Sequence, residues 1–169
     1  MNEIREIVTR AVVAKGKKIF NLTEKIKPIV KPYSILGCWI INHEFEASKV
    51  NEVVKLDGEF EVNIWYSTNN NSKTDIIREN VTYKKEIVTK TVVKNYLENT
   101  DDILARIIQH PTVTNAKIID DIVSLDITFE IVAEIIGETK MKVTVFKEEE
   151  NWEEEIDALD MDINENFIG

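Results

Sequence analysis

Few residues here are of the kinds that carry catalysis: 169 residues hold one cysteine, two histidines, five glycines and three prolines. A single thiol, Cys38, cannot close an internal disulfide, and burial as a small apolar residue is its expected role. Cys38, His43 and His110 together fall short of the ligands of a closed zinc site. His43 follows Cys38 in sequence, but nothing supplies the third group that orients an activated thiolate. Scattered glycines make no phosphate-cradling loop. Asp101-Asp102 and Asp120-Asp121 read as a helix start and a turn, and the acidic end of the chain lacks the Asp/Asn/Gly alternation of an EF-hand. No catalytic, cofactor-binding or metal-binding residue is expected. Apolar runs never approach the ~20 residues of a membrane helix. Met1 is followed by Glu3, Arg5 and Glu6 instead of an apolar signal core, so a cytosolic start is the expectation.

Charge of one sign is also missing where nucleic acid would need it. The net charge is −10, which repels a phosphate backbone. Residues 1–31 carry eight Lys/Arg against three acids, whereas residues 148–169 carry ten acids and no base. The basic stretch (Lys15, Lys17, Lys18, Lys25, Lys27, Lys31) has only Phe20 as an aromatic platform, so no nucleic-acid partner is expected.

Period-2 alternation is abundant. Val54, Leu56, Gly58, Phe60, Val62, Ile64 and Tyr66 alternate with Lys55, Asp57, Glu59, Glu61, Asn63 and Trp65, giving one strand with a buried face and a wet face. Val123 to Ile135 repeats the pattern, and Gly137 is expected to turn it into a second strand, Thr139 to Val145, as a hairpin. Further strands are expected over 8–19, 35–45, 75–93 and 113–119. Pro28 and Pro32 hold an extended connection, and Asn69-Asn70-Asn71 supplies a turn. One short helix is expected over 101–109, where Ile103, Leu104, Ile107 and Ile108 share a face and Pro111 is the stop, although Ile103, Ala105 and Ile107 also fit a strand. Leu56-Asp57-x-x-Phe60-Glu61-Val62 recurs as Leu125-Asp126-x-x-Phe129-Glu130-Ile131. The fold class is mainly β: an antiparallel sandwich or two stacked β-modules. The expected division is residues 1–94, a second module over 95–147, and an acidic tail over 148–169.

In that tail Trp152, Ile156, Leu159 and Ile163 are spaced four, three and four apart, one narrow stripe of a helix. Asn151 suits the N-cap, with Glu154 three residues on. Alone such a helix is marginal. The stripe is therefore expected to fold on docking, against this chain's own core, a neighbouring copy or another protein.

The string Ala11-Val12-Val13-Ala14-Lys15-Gly16-Lys17-Lys18, followed by Ser34-Ile35-Leu36-Gly37-Cys38-Trp39-Ile40-Ile41-Asn42-His43 and Asn63-Ile64-Trp65-Tyr66-Ser67, resembles the spore outer-coat morphogenetic protein CotE family. Ala133 to Lys140 and Trp152 to Phe167 continue the resemblance in order, so that it covers nearly the whole chain. It implies a non-enzymatic scaffold, made in the mother-cell cytosol and deposited on the forespore surface, that associates with itself and connects a basement-layer scaffold to outer-coat proteins. The tail is shorter than the family leads one to expect. Cys38 stands where glycine is expected, which implies a crosslink between chains as its role. Attraction between the basic residues, Lys15, Lys17 and Lys18 among them, and the acidic tail of another copy, with the Trp152 stripe supplying the apolar part, is the expected mode of assembly. The rival expectation is a monomeric β-sandwich that presents Trp39, Trp65 and Tyr66 to a ligand, although cover by a second sheet layer is the expected state of Trp65.

Overall fold

A computed structural model describes residues 2–147, side chains 97–100 excepted. The strands are β1 (Asn2–Ile26), β2 (Ser34–Val50), β3 (Val53–Thr68), β4 (Lys73–Val88), the short β5 (Lys90–Thr91), β6 (Tyr96–Ile119) and β7 (Ile122–Phe146). They form a sheet of order β5-β1-β7-β6 and another of order β2-β3-β4, and no helix occurs among the described residues. The expected β-sandwich is what forms.

The described residues divide into two compact units, residues 2–8 with 140–147, and Thr9–Thr139. In the first, Lys140 reaches Glu6 (4.0 Å) and Lys147 reaches Glu3 (3.2 Å). The second holds the core. Its centre is built by the two copies of the shared motif: Leu56 and Phe60 of β3 and Leu125 and Phe129 of β7 are all buried. The Phe60 and Phe129 rings meet edge to face at 6.4 Å, with Phe20 (5.1 Å) and Tyr83 (4.8 Å) also on Phe129. Alternation thus puts one apolar row of each central strand against the other, the arrangement by which two sheets share a core.

Turn chemistry follows residue type. Asp120 (φ 50°) and Asp121 (φ 62°) make a two-residue turn between β6 and β7 with both residues left-handed, the hairpin geometry that matches strand twist. Asn51 (φ 57°) and Asn69 to Asn71 (φ 47° to 68°) serve the other two hairpins, since a short amide side chain tolerates this region. Asn42 (φ 55°) is different, because it lies within β2. The pairing with β3 shifts by one residue between Ile41 and Glu44, a β-bulge that reverses which residues face inward. Before it Cys38 and Ile40 pack on the core; after it Phe45 and Ala47 do.

Two expectations are corrected. Residues 101–109 are strand, not helix. Ile103, Ala105 and Ile107, half-buried, stand opposite the buried Ile135, Ala133 and Ile131 of β7, a row that rewards alternation over a helical face. Pro111 lies in this strand at a register break between Gln109 and Thr112, and β6 is at the end of its sheet, where a missing N–H is tolerated. Gly137 makes no turn, and β7 continues to Phe146. The glycine is explained by crowding instead: a Cβ there would lie 3.2 Å from the Tyr96 ring and 3.4 Å from Val13.

Candidate functional site

The outward face of β2-β3-β4 has the most unusual surface in the second unit. Antiparallel register places Glu44 opposite Glu59 and Glu46 opposite Asp57. Like charges directly across a ladder repel. Glu61 follows on β3, and β4 offers Lys84, Thr82 and Asn80 beside Asp57, Glu59 and Glu61. Lys84 reaches Asp57 at 3.5 Å, while among the described residues no cation lies within salt-bridge distance of Glu44, Glu46, Glu59 or Glu61. Glu44, Glu46, Asp57, Glu59 and Thr82 border an open depression of about 710 Å³.

Beyond the acids the same face turns apolar. Trp39 is opposite Asn63, Trp65 opposite Gly37 and Ile76, and Ile41 opposite Glu61. Trp39, Trp65 and Ile41 are each 43% exposed and Ile76 is 47% exposed. Trp65 was expected under a second layer; instead it lies on the surface, its ring 4.0 Å from the place of a Gly37 Cβ. Tyr66, which the rival reading presents beside the tryptophans and the alternation places on the inner face, is buried and donates to Asp75 Oδ2 (3.3 Å). Parity explains both, since successive residues of a strand point to opposite faces. Between the tryptophans sits Asn63, 2% exposed, whose side-chain Nδ2 has no hydrogen-bond partner among the described residues. A buried amide without a partner is costly.

Beneath the acidic depression is an aromatic box. The bulge at Asn42 aims His43 inward, where Nε2 and the Tyr83 hydroxyl are 2.7 Å apart and Phe45, Phe60 and Phe129 surround the ring. Tyr83 lies over Gly58, its cross-strand partner: a Cβ on Gly58 would come within 2.4 Å of the Tyr83 ring. Burial pushes the Tyr83 hydroxyl up to about 12. Burial, and secondarily His110, hold His43 below the ordinary histidine value, so the imidazole is neutral at pH 7. His43 and Phe45 form part of the wall of the depression. The box is packing with one internal hydrogen bond.

The residues singled out in the sequence are dispersed. Lys15 faces Glu134 (3.6 Å) and Lys17 faces Glu130 (3.9 Å) on β7, so each has an acid of its own chain. Lys18 rests over the Phe20 ring at 5.7 Å and, with Lys55, Lys84 and Lys85, lines a separate groove. Cys38 is half-buried opposite Ile64 and packs on the core, and burial raises its thiol above the ordinary value. Trp152, Ile156, Leu159 and Ile163 lie outside the described residues. The acidic ladder escaped the sequence reading because Asp57, Glu59 and Glu61 look like any wet strand face. Only the pairing with β2 makes them confront Glu44 and Glu46. The one available signal was a second acidic alternation, Glu44-x-Glu46.

The family model for outer spore coat protein E (CotE) matches residues 3–168. No curated protein matches.

Proposed function

From the premise that the chain belongs to the outer spore coat protein E (CotE) family, and so is a protein of the spore coat, we propose that it acts as a non-enzymatic scaffold. In this reading it is made in the mother-cell cytosol, laid on the forespore surface, associates with itself and links a basement-layer scaffold to outer-coat proteins. The observation that carries self-association is the edge of the smaller sheet. All 16 residues of β4 pair with β3 on one side, and β4 ends the strand order. An edge of that length is a template for another strand, and its charged residues, among them Arg78, Lys84 and Lys85, restrict which strand fits. Lys15 and Lys17 contribute less to assembly than their charge suggests, because Glu134 and Glu130 already partly neutralise them.

Light scattering and negative-stain microscopy of the full chain, beside a version ending at Lys147, test this. Large ordered particles from both place assembly in the β-body. Particles from the full chain only assign it to the acidic tail and its Trp152 stripe. Monomers at every concentration from both would remove the scaffold reading and favour a monomeric binding module.

A further inference from the structure

The outward face of β2-β3-β4 is distinct from the β4 edge and combines three features that no internal packing demand explains. Glu44 faces Glu59 and Glu46 faces Asp57 in register. Trp39, Ile41, Trp65 and Ile76 extend from that ladder as an exposed apolar strip. Asn63 lies buried within the strip with its Nδ2 unpartnered among the described residues. The first destabilises the sheet by repulsion, the second leaves large side chains in water, and the third leaves a desolvated donor unmet. A single occupant relieves all three.

We infer that this face docks an extended, lysine- or arginine-rich segment of another protein, with an apolar side chain at the tryptophan end. Cations over the depression neutralise the facing carboxylates. Guanidinium or ammonium groups also stack favourably on indole faces. A backbone or side-chain carbonyl of the segment is the acceptor that Asn63 lacks. Three cations already border the face, Arg78 beside Asn63, Lys84 on Asp57, and Lys55 two residues before Asp57 on the same row of β3, but they leave Glu44, Glu46, Glu59 and Glu61 without a salt-bridge partner among the described residues. A neutral glycan would use the tryptophans without relieving the carboxylate repulsion. A second copy of this chain brings a net charge of −10 toward an acidic face, and its Lys15 and Lys17 have acids of their own.

The test is fluorescence anisotropy of two labelled ten-residue peptides, one alternating Lys and Leu and one alternating Glu and Leu, with the full chain. The comparison proteins are the double variant Glu44→Gln/Glu59→Gln and the single variant Trp65→Ala. The expected result is binding of the lysine peptide alone, weakened at least tenfold by either variant and at least tenfold between 50 and 300 mM salt, as charge contacts require. Thermal melting supplies the second readout: the double variant should melt higher than the parent, because it removes repulsion. Equal affinity of the double variant for the lysine peptide would assign that binding to the acidic residues 148–169 and overturn the proposal. Equal binding of the glutamate peptide, or tighter binding of a neutral cello-oligosaccharide that competes with the lysine peptide, would overturn it as well. A lower melting temperature for the double variant would show that the facing carboxylates are not a strained pair.

Discussion

The outward faces of the two sheets solve the same problem in opposite ways. On β1 and β7, charges and polar groups meet complementary partners: Lys15 with Glu134, Lys17 with Glu130, Asn21 with Thr128 (2.8 Å) and Thr23 with Asp126 (2.9 Å). Arg106 of β6 adds a second cation to Glu134 (3.1 Å). As positions rise along β1 they fall along β7, the signature of antiparallel pairing. On β2 and β3 the facing positions hold acid against acid and exposed indole rings. One face is satisfied within the chain, and the other is left to be satisfied from outside. That difference separates a surface that stabilises the fold from one that costs stability and is kept for contact.

The comparison breaks most completely when the shared interior is removed. Phe129, fully buried among Phe20, Phe60, Tyr83 and His43, is the hub of that interior. Phe129→Ala should cost about 3–5 kcal/mol in denaturant unfolding and disorder both faces together. Gly58→Val should cost about 1–3 kcal/mol, since Tyr83 occupies the space of its Cβ and is held there by His43; the same melts report it. Glu134→Ala tests the satisfied face. It removes the acid shared by two half-exposed cations and should lower stability by about 1 kcal/mol. Glu59→Lys tests the unsatisfied one, turning a repulsive pair into an attractive one and raising stability by about 0.2–1 kcal/mol. Opposite signs for these two acid replacements sharpen the contrast; equal signs would dissolve it.

Acid titration adds a smaller effect. The folded value of His43 lies below its unfolded value of 6.5, so below about that pH the unfolded chain binds the proton more readily. Its contribution is therefore complete above 6.5 and declines as pH falls through the folded value. Asp101, held down by its hydrogen bond from Lys49, acts in the same direction at lower pH. Melting temperatures from pH 7.5 to 5 should fall, and His43→Leu should flatten the upper part of that curve.

Much of the body was legible in the residues. Val54 to Tyr66 and Val123 to Ile135 announce strands through strict alternation, and both form the central strands of their sheets. Asn69 to Asn71 announced a turn through residue type. Legibility failed where local signals were ambiguous and a distant partner decided. Ile103 to Ile108 satisfies a helical face and a strand alternation alike, and β7 resolves it. Gly137 suggests a turn until the Tyr96 ring fills the space beside it. His43 has no meaning in isolation, because the bulge at Asn42 changes its side of the sheet.

The sequence by itself determined that this is a β-protein, where most strands lie, and, through its strings of family-specific residues, that it belongs to the spore coat. Those are local properties, written in residue type and period. Tertiary structure alone decided which acids face which, that Trp65 stays exposed instead of being covered by a second layer, and that His43 turns toward Phe45, Phe60 and Phe129. Register and sheet order join residues far apart in the chain, and a shift of one position moves every side chain to the other face.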